Sequence, residues 1–428
     1  MLLGFTCKNF RSFKEEASFS MLPVNAYKEH PENIIPKQIT GSNTDGVLSA
    51  AAIYGTNASG KTNLLRAIDY ARILILEGIH PAHPLKEEHF IGNNEPIGFH
   101  FSFLANNQRY EYEFAFDADG VETEELKTRP KGERLVFRRS RLEDGKYNVK
   151  QGSKYPGITA KLKGYSDNGL VLGMLSRYGV EPCLEAFGWF NTGLSVINRE
   201  KPAEYGEILE KLTNLGQNNF KKIISAIKAA DLGIMDAQLN VDEMTEDEQA
   251  AQKEAADRLS AVFEALTGQK PDGLQLPNKK IALQFRHVID GQGVGFSFED
   301  ESLGTITMLD LAADLISAID SGRTLLVDEA ERSLHPVLLK NLVELFSNKA
   351  MNDEGAQLIF TTHDLSFLSN GLLRRDQIWF VQKDPNTGAS DLYPLSSFSP
   401  RKDESLTNRY LHGAYGAVPF IEGLDSNG

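Results

Sequence analysis

Gly55-Thr56-Asn57-Ala58-Ser59-Gly60-Lys61-Thr62 follows the apolar run Val47 to Tyr54 and precedes an amphipathic stretch that begins Asn63-Leu64-Leu65. That order predicts a buried strand, a glycine-rich turn and a helix, the context in which GxxxxGK[ST] cradles phosphate. Backbone N–H groups in such a turn point inward at an anion, and the helix N-terminus adds its partial positive charge. Gly55, Thr56, Asn57, Ala58, Ser59, Gly60, Lys61 and Thr62 are therefore expected to hold the phosphates of ATP. Lys61 would reach the β- and γ-phosphates and Thr62 would ligate Mg2+.

Alternation and spacing extend the reading in both directions. Leu2 to Lys8 and Ala17 to Met21 read as strands around a turn at Asn9-Phe10-Arg11-Ser12, and Thr62 to Glu77 as a helix stopped by Gly78 and Pro81. Phe99 to Phe103 and Tyr110 to Phe116 form a hairpin pattern across Asn106-Asn107, and short strand patterns continue from Arg134 to Val149. This predicts a β-rich lobe with the nucleotide turn at its edge. From about Glu185 to Lys270 apolar residues recur at three and four residue spacings, which predicts a helical subdomain or a short antiparallel arm. Thr245 and Glu248 are spaced as a capping box before the last of these helices. Strand and helix patterns then alternate again: a hairpin at Ile281 to Ile289 and Gly293 to Phe298, a helix at Thr305 to Ile319, and buried strands at Thr324 to Val327, Gln357 to Thr362 and Ile378 to Gln382. Strand–helix–strand order implies parallel pairing.

Composition sets limits. The 428 residues are 41% apolar and 24% charged, a globular balance, and the formal net charge is −14. An acidic total argues against a surface devoted to nucleic acid. The one concentrated basic segment, Arg129 to Arg141, reads as a strand pair with solvated charges. Cys7 and Cys183 are far apart, which supports neither a disulfide framework nor a structural zinc site and fits a reducing cytoplasm. No secretion signal and no apolar run long enough to span a membrane are found, so no membrane association is expected.

Three further motifs complete a site. Thr324-Leu325-Leu326-Val327-Asp328-Glu329 is an apolar strand that ends in two carboxylates, and strand ends are where α/β sheets place ligands. Asp328 would hold the Mg2+ shell, and Glu329, pointing to the opposite side, could polarise the attacking water. Phe360-Thr361-Thr362-His363-Asp364 puts polar groups at the end of another buried strand, where His363 could donate to the γ-phosphate or position the water. Glu301-Ser302-Leu303-Gly304-Thr305 opens a helix, either as an ordinary N-cap or as a second anion site.

Asn9-Phe10-Arg11-Ser12-Phe13, GTNASGKT, ESLGT, LLVDEAERSLHP and FTTHD, in this order and spacing, resemble the ABC-type ATPase heads of SMC, RecF and OLD proteins. They look closest to the compact RloA/AbiL-type ATPases of bacterial anti-phage defence, a group that includes the PARIS ATPase AriA. The resemblance covers the first 185 residues or so and everything after about 280. It implies an α/β P-loop NTPase of ABC-ATPase type with a split head. Residues 1–185 would form the N-terminal ATPase lobe, 186–275 a helical insertion or short arm, and 276–428 the C-terminal lobe with signature, Walker B motif and His switch.

In such heads two subunits sandwich ATP. By that resemblance Asn9 and Arg11 would touch nucleotide, and Ser302 and Gly304 would complete the γ-phosphate shell across a homodimer. Ser333-Leu334-His335 occupies the D-loop position. Two departures stand out: Leu303 replaces the first glycine of the usual signature, and no lid glutamine is evident, with the segment around His89-Phe90 in its place. The implied function is an ATP-driven dimerisation switch in a defence system, acting through a separate effector, a nuclease or toxin encoded nearby. That effector would dock on the insertion or on the tail after Arg401. The alternative is a RecF- or SMC-like DNA repair or maintenance ATPase, in which nucleic acid is the primary partner.

Overall fold

The computed structural model describes residues 1–44, 46–77, 88–163, 169–197, 204–229, 233–267, 279–332, 336–369, 371–401 and 404–418. They divide into two compact units, Met1–Lys201 with Ser317–Gly428, and Pro202–Ile316. Among the described residues no helix is long and apolar enough to cross a membrane.

The first unit holds strands β1 (Leu2–Lys8), β2 (Ala17–Ser20), β3 (Ile34–Pro36), β4 (Gly46–Leu48), β5 (Ala50–Tyr54), β6 (Ile97–Ala105), β7 (Gln108–Asp117), β8 (Gly120–Thr128), β9 (Arg134–Arg141), β10 (Tyr147–Gln151) and β11 (Leu194–Ile197). The second unit holds β12 (Ile234–Glu243), β13 (Lys279–Ile289) and β14 (Gln292–Ser297). Returning to the first unit, the chain adds β15 (Thr324–Val327), β16 (Gln357–Thr361), β17 (Ile378–Lys383) and β18 (Ser390–Pro394).

Two sheets dominate the first unit. One is antiparallel, in the order β10-β9-β8-β7-β6-β1-β2, and its inward positions are aromatic: Phe5, Phe99, Phe101, Phe103 and Tyr112 are buried in one cluster with Phe190. Phe101 and Phe103 meet Phe190 edge to face at centroid distances of 5.0 and 5.2 Å, the arrangement that ring quadrupoles favour. The other sheet, β11-β15-β16-β5-β17-β18, is parallel except at its β17–β18 edge. Gln357 ties the two together: its amide donates to the Leu2 and Leu48 carbonyls, and its oxygen accepts from the Leu2 N–H at 2.6 Å.

This is the α/β P-loop NTPase fold that the sequence predicts, with changes of plan. The phosphate-loop strand is not at the edge of an N-terminal lobe. β5 lies between β16 and β17, both from the C-terminal part of the chain. Every residue of Ala50–Tyr54 is buried, and a strand that is apolar on both faces needs partners on both edges and cover on both sides.

The second unit also differs from the expected insertion at 186–275. It begins at Pro202, because β11 pairs in parallel with β15 and so belongs to the first unit's sheet. It extends to Ile316, because the hairpin β13–β14 pairs with β12 and forms a separate three-stranded sheet. Helix Tyr205–Ala229 breaks at Gly216, whose φ of +75° glycine tolerates. Helix Glu246–Thr267 starts with the predicted capping box: the Glu248 N–H donates to Thr245 Oγ1, and the Thr245 N–H to Glu248 Oε2.

Near the C-terminus, helix Leu406–Leu411 turns Tyr410 onto Tyr54 and Phe380, and the Tyr410 hydroxyl donates to the Ala417 carbonyl. This part of the tail is packed on the nucleotide-domain sheet.

Candidate nucleotide site

Register brings the motifs to one edge of the parallel sheet. Val327 is opposite Phe360, and Thr361 is opposite Ile53, so β15, β16 and β5 run out side by side into Asp328-Glu329, Thr362-His363 and Gly55. The loop after β5 is held from behind. The Ser390 hydroxyl donates to the Ser59 carbonyl at 2.6 Å, the Ser390 N–H donates to the Ser12 carbonyl, and Asn63 donates to the Ser12 hydroxyl. Gly60 takes a φ of +112°, and a side chain there would meet the Ser12 and Ser390 hydroxyls.

At Gly55 the constraint is space: a Cβ would lie 2.4 Å from the Val381 carbonyl oxygen, which is backbone of β17 and cannot swing away. Gly55→Ala is expected to destabilise the first unit by about 1–3 kcal/mol through overpacking. The check is a lower thermal midpoint together with weakened nucleotide binding.

Lys61 opens helix Lys61–Glu77 and is 7% exposed. Its ammonium donates to the Gly55 carbonyl at 2.8 Å and the Thr56 carbonyl at 3.1 Å, and it lies 3.1 Å from His363 Nε2. Burial lowers the Lys61 pKa, opposed by the carboxylates of Asp328, Glu331 and Glu329. Burial and the Lys61 charge lower the His363 pKa against the same three carboxylates. Both effects favour the neutral imidazole, and in the tautomer protonated at Nδ1 its Nε2 accepts from Lys61. An ammonium, an imidazole and three carboxylates thus share one neighbourhood.

Thr361 fixes the carboxylate strand. Its hydroxyl donates to Asp328 Oδ1 at 2.6 Å and accepts from the Glu329 N–H at 2.7 Å, while its carbonyl accepts from Ala330. Glu329 has a φ of +47°, which is costly for a side chain of this kind and is typical of functional sites held by their surroundings. The turn closes with the Arg332 N–H donating to the Glu329 carbonyl.

The expected nucleotide contacts Asn9 and Arg11 are both bonded to the 88–95 segment. Asn9 is fully buried: Nδ2 donates to the Glu95 carbonyl, and Oδ1 accepts from the Phe90 N–H. Arg11 makes a bidentate pair with Glu88, at 2.5 and 2.7 Å, so its charge is already engaged. Asn57 and Ala58 are exposed at the loop tip, and Thr62 is half-buried in the helix's first turn.

In the second unit, Ser302 caps helix Leu303–Asp320, its hydroxyl accepting from the Thr305 N–H at 3.1 Å, and Gly304 lies in the first turn. That fulfils the ordinary N-cap role. Ser333-Leu334-His335, the expected D-loop, lies outside the described residues.

The donor set fits a magnesium-bound nucleoside triphosphate. The Ser59 hydroxyl is buried with no hydrogen-bond partner among the described residues, as a group inside a phosphate cradle would be. Among the described residues there is also no cluster of three His, Cys, Asp or Glu side chains arranged for a metal. A magnesium ion at Thr62 and Asp328 would thus complete its shell with phosphate oxygens and water.

Sequence reasoning missed Glu331, Ser12, Ser390 and Glu88. The ERS and FRS stretches contain the first two, but only the tertiary pairing shows what they touch.

A family model described as "AAA domain, putative AbiEii toxin, Type IV TA system" matches residues 50–161 and 183–369. Two solved structures are similar at low identity. The SMC head domain from Thermotoga maritima is 13% identical, with a TM-score of 0.43 over 92% of this chain and 98% of that one. The Smc head domain with an extended coiled coil bound to the C-terminal domain of ScpA, from Pyrococcus furiosus, is 14% identical, with a TM-score of 0.39 over 93% and 97%. No curated protein matches the chain.

Proposed function

Because the chain belongs to this AAA domain family, AAA_21, we propose that it is an ATP-binding and ATP-hydrolysing dimerisation switch of a bacterial anti-phage defence system, controlling a separate effector such as a nuclease or toxin. The observation that carries the enzymatic part is the meeting of Lys61, His363, Asp328, Glu329 and Glu331 at one sheet edge.

In this reading Gly55 to Thr62 bind the phosphates, Lys61 exchanges its loop carbonyls for phosphate oxygens, and Thr62 with Asp328 holds Mg2+. When bound, the metal neutralises charge that develops on the phosphates. Glu329 takes the proton of the attacking water, and His363 hydrogen-bonds the γ-phosphate. Ser302 and Gly304 would act from a second copy of the chain, which makes the site composite and ties ATP state to dimerisation. The protein would work in the cytoplasm.

The effector reading is favoured over the DNA-clamp reading by what happens to the basic segment. Arg138 pairs with Glu125, Arg139 with the fully buried Glu124, Arg141 with Asp117, and Arg129 with Glu133. Those charges are committed within the protein, and phosphate backbones need uncommitted ones.

Protection against phage, scored with the chain expressed alone and with its genomic neighbours, tests the proposal. Protection is expected only in the presence of a neighbouring effector gene and to be lost with Lys61→Ala. Full protection by this chain alone would rule out the two-component scheme.

A further inference from the structure

The parallel ladder ends at Thr362, whose N–H donates to the Ile53 carbonyl at 3.1 Å. The next N–H along, that of His363, is past the sheet and has no strand to pair with. It donates instead to Glu331 Oε1 at 2.7 Å. The same residue's ring places Nε2 3.1 Å from Lys61 Nζ. What brings Glu331 there is the turn that starts at Glu329: its positive φ and its two tethers to Thr361 send the chain back toward the end of β16.

The other carboxylate oxygen, Glu331 Oε2, is buried with no hydrogen-bond partner among the described residues. A desolvated carboxylate oxygen left unpaired costs stability. The Oε1 bond to the His363 N–H needs only an acceptor at this position, and the unpaired Oε2 is a cost that this bond does not explain.

We propose that Glu331 is a positioning residue for γ-phosphate recognition, holding His363 over the phosphate loop through the His363 N–H. This rests on the ATP reading above and adds a residue to it. Because ADP has no γ-phosphate, the effect is confined to the triphosphate. Loss of Glu331 weakens binding of a triphosphate and leaves ADP binding nearly unchanged.

The test is equilibrium displacement of a fluorescent ADP from the full chain, in Mg2+, by ADP and by the non-hydrolysable analogue adenylyl imidodiphosphate. Glu331→Ala is expected to reduce the triphosphate-to-diphosphate affinity ratio about ten-fold or more, the usual scale for a hydrogen bond to a charged group. Glu331→Gln, whose amide oxygen can still accept the N–H, retains most of the ratio. Glu331→Met, similar in volume and unable to accept, loses it, and serves if the alanine variant does not fold.

In the double variant with His363→Ala, the loss is no greater than that of His363→Ala alone, because both changes remove one interaction. An unchanged ratio in Glu331→Ala or Glu331→Met, or losses that add in the double variant, would overturn the assignment. If wild type bound neither ADP nor the analogue, the ATP reading itself would fall, a distinct result.

Discussion

A Lys61→Ala variant is expected to fold and to lose nucleotide affinity by at least on the order of 100-fold, since an ammonium that bonds two phosphates contributes two charge-assisted hydrogen bonds. The fold should survive. The Lys61 ammonium is desolvated in the free protein, which lowers its pKa and marks it as a cost to stability. Removing it forfeits bonds to two loop carbonyls, Gly55 and Thr56, that water can replace. The backing of the loop by Ser12, Asn63 and Ser390 does not involve the lysine. Titration with a fluorescent ADP, alongside circular dichroism and a melting curve, checks both halves of the claim. Nucleotide affinity equal to wild type in a folded variant would remove the phosphate-loop assignment.

Glu329→Gln should have the second large effect. Glutamine keeps the length and shape of the side chain, and the turn is fixed by backbone bonds to Thr361 that the substitution does not touch. What is lost is the ability to take a proton, which in general base catalysis is associated with about 100- to 10,000-fold in rate. Binding of ATP should be retained. The variant should therefore accumulate in whichever assembly ATP favours, because hydrolysis no longer returns it to the open form. Light scattering with and without ATP is expected to report a larger, persistent species for Glu329→Gln and a transient one for wild type. Steady-state hydrolysis at the wild-type rate would assign the base to another residue.

The parts of the fold that were legible in sequence are those fixed by local signals. β15 was read closely because Leu325, Leu326 and Val327 follow one another as an apolar run bounded by the charges of Arg323 and Asp328. The phosphate loop was legible because its glycines answer to local geometry, a close backbone at Gly55 and a positive φ at Gly60. β12 was not, although Asp236 to Asp242 alternates polar and apolar: the strand lies between two stretches of helical spacing and buries only two residues, Ile234 and Ala237.

Which sheet a hairpin joins is also not a local property. β13–β14 was recognised as a hairpin, but its pairing with β12 moves it out of the nucleotide domain. The surroundings of Asn9 are hidden for a related reason. Its amide bonds Glu95 and Phe90, residues far along the chain whose approach no spacing reveals. Glu331 is the converse case, an ordinary acid in sequence that acquires its partner only because Glu329 turns the backbone back.

The position of β5 between β16 and β17 has a consequence for how the protein is made. The strand that carries the phosphate loop leaves the ribosome well before both of its neighbours, Gln357–Thr361 and Ile378–Lys383. At about 5–20 residues per second, the gap is on the order of a quarter of a minute to a minute. During that time Ala50–Tyr54 is an apolar strand with two open edges, a species that attracts chaperones or other nascent chains. A truncated product ending before β16 would carry the whole GTNASGKT sequence with neither neighbour of the strand that leads into it. The phosphate loop therefore gains its shape only once β16 and β17 have been made.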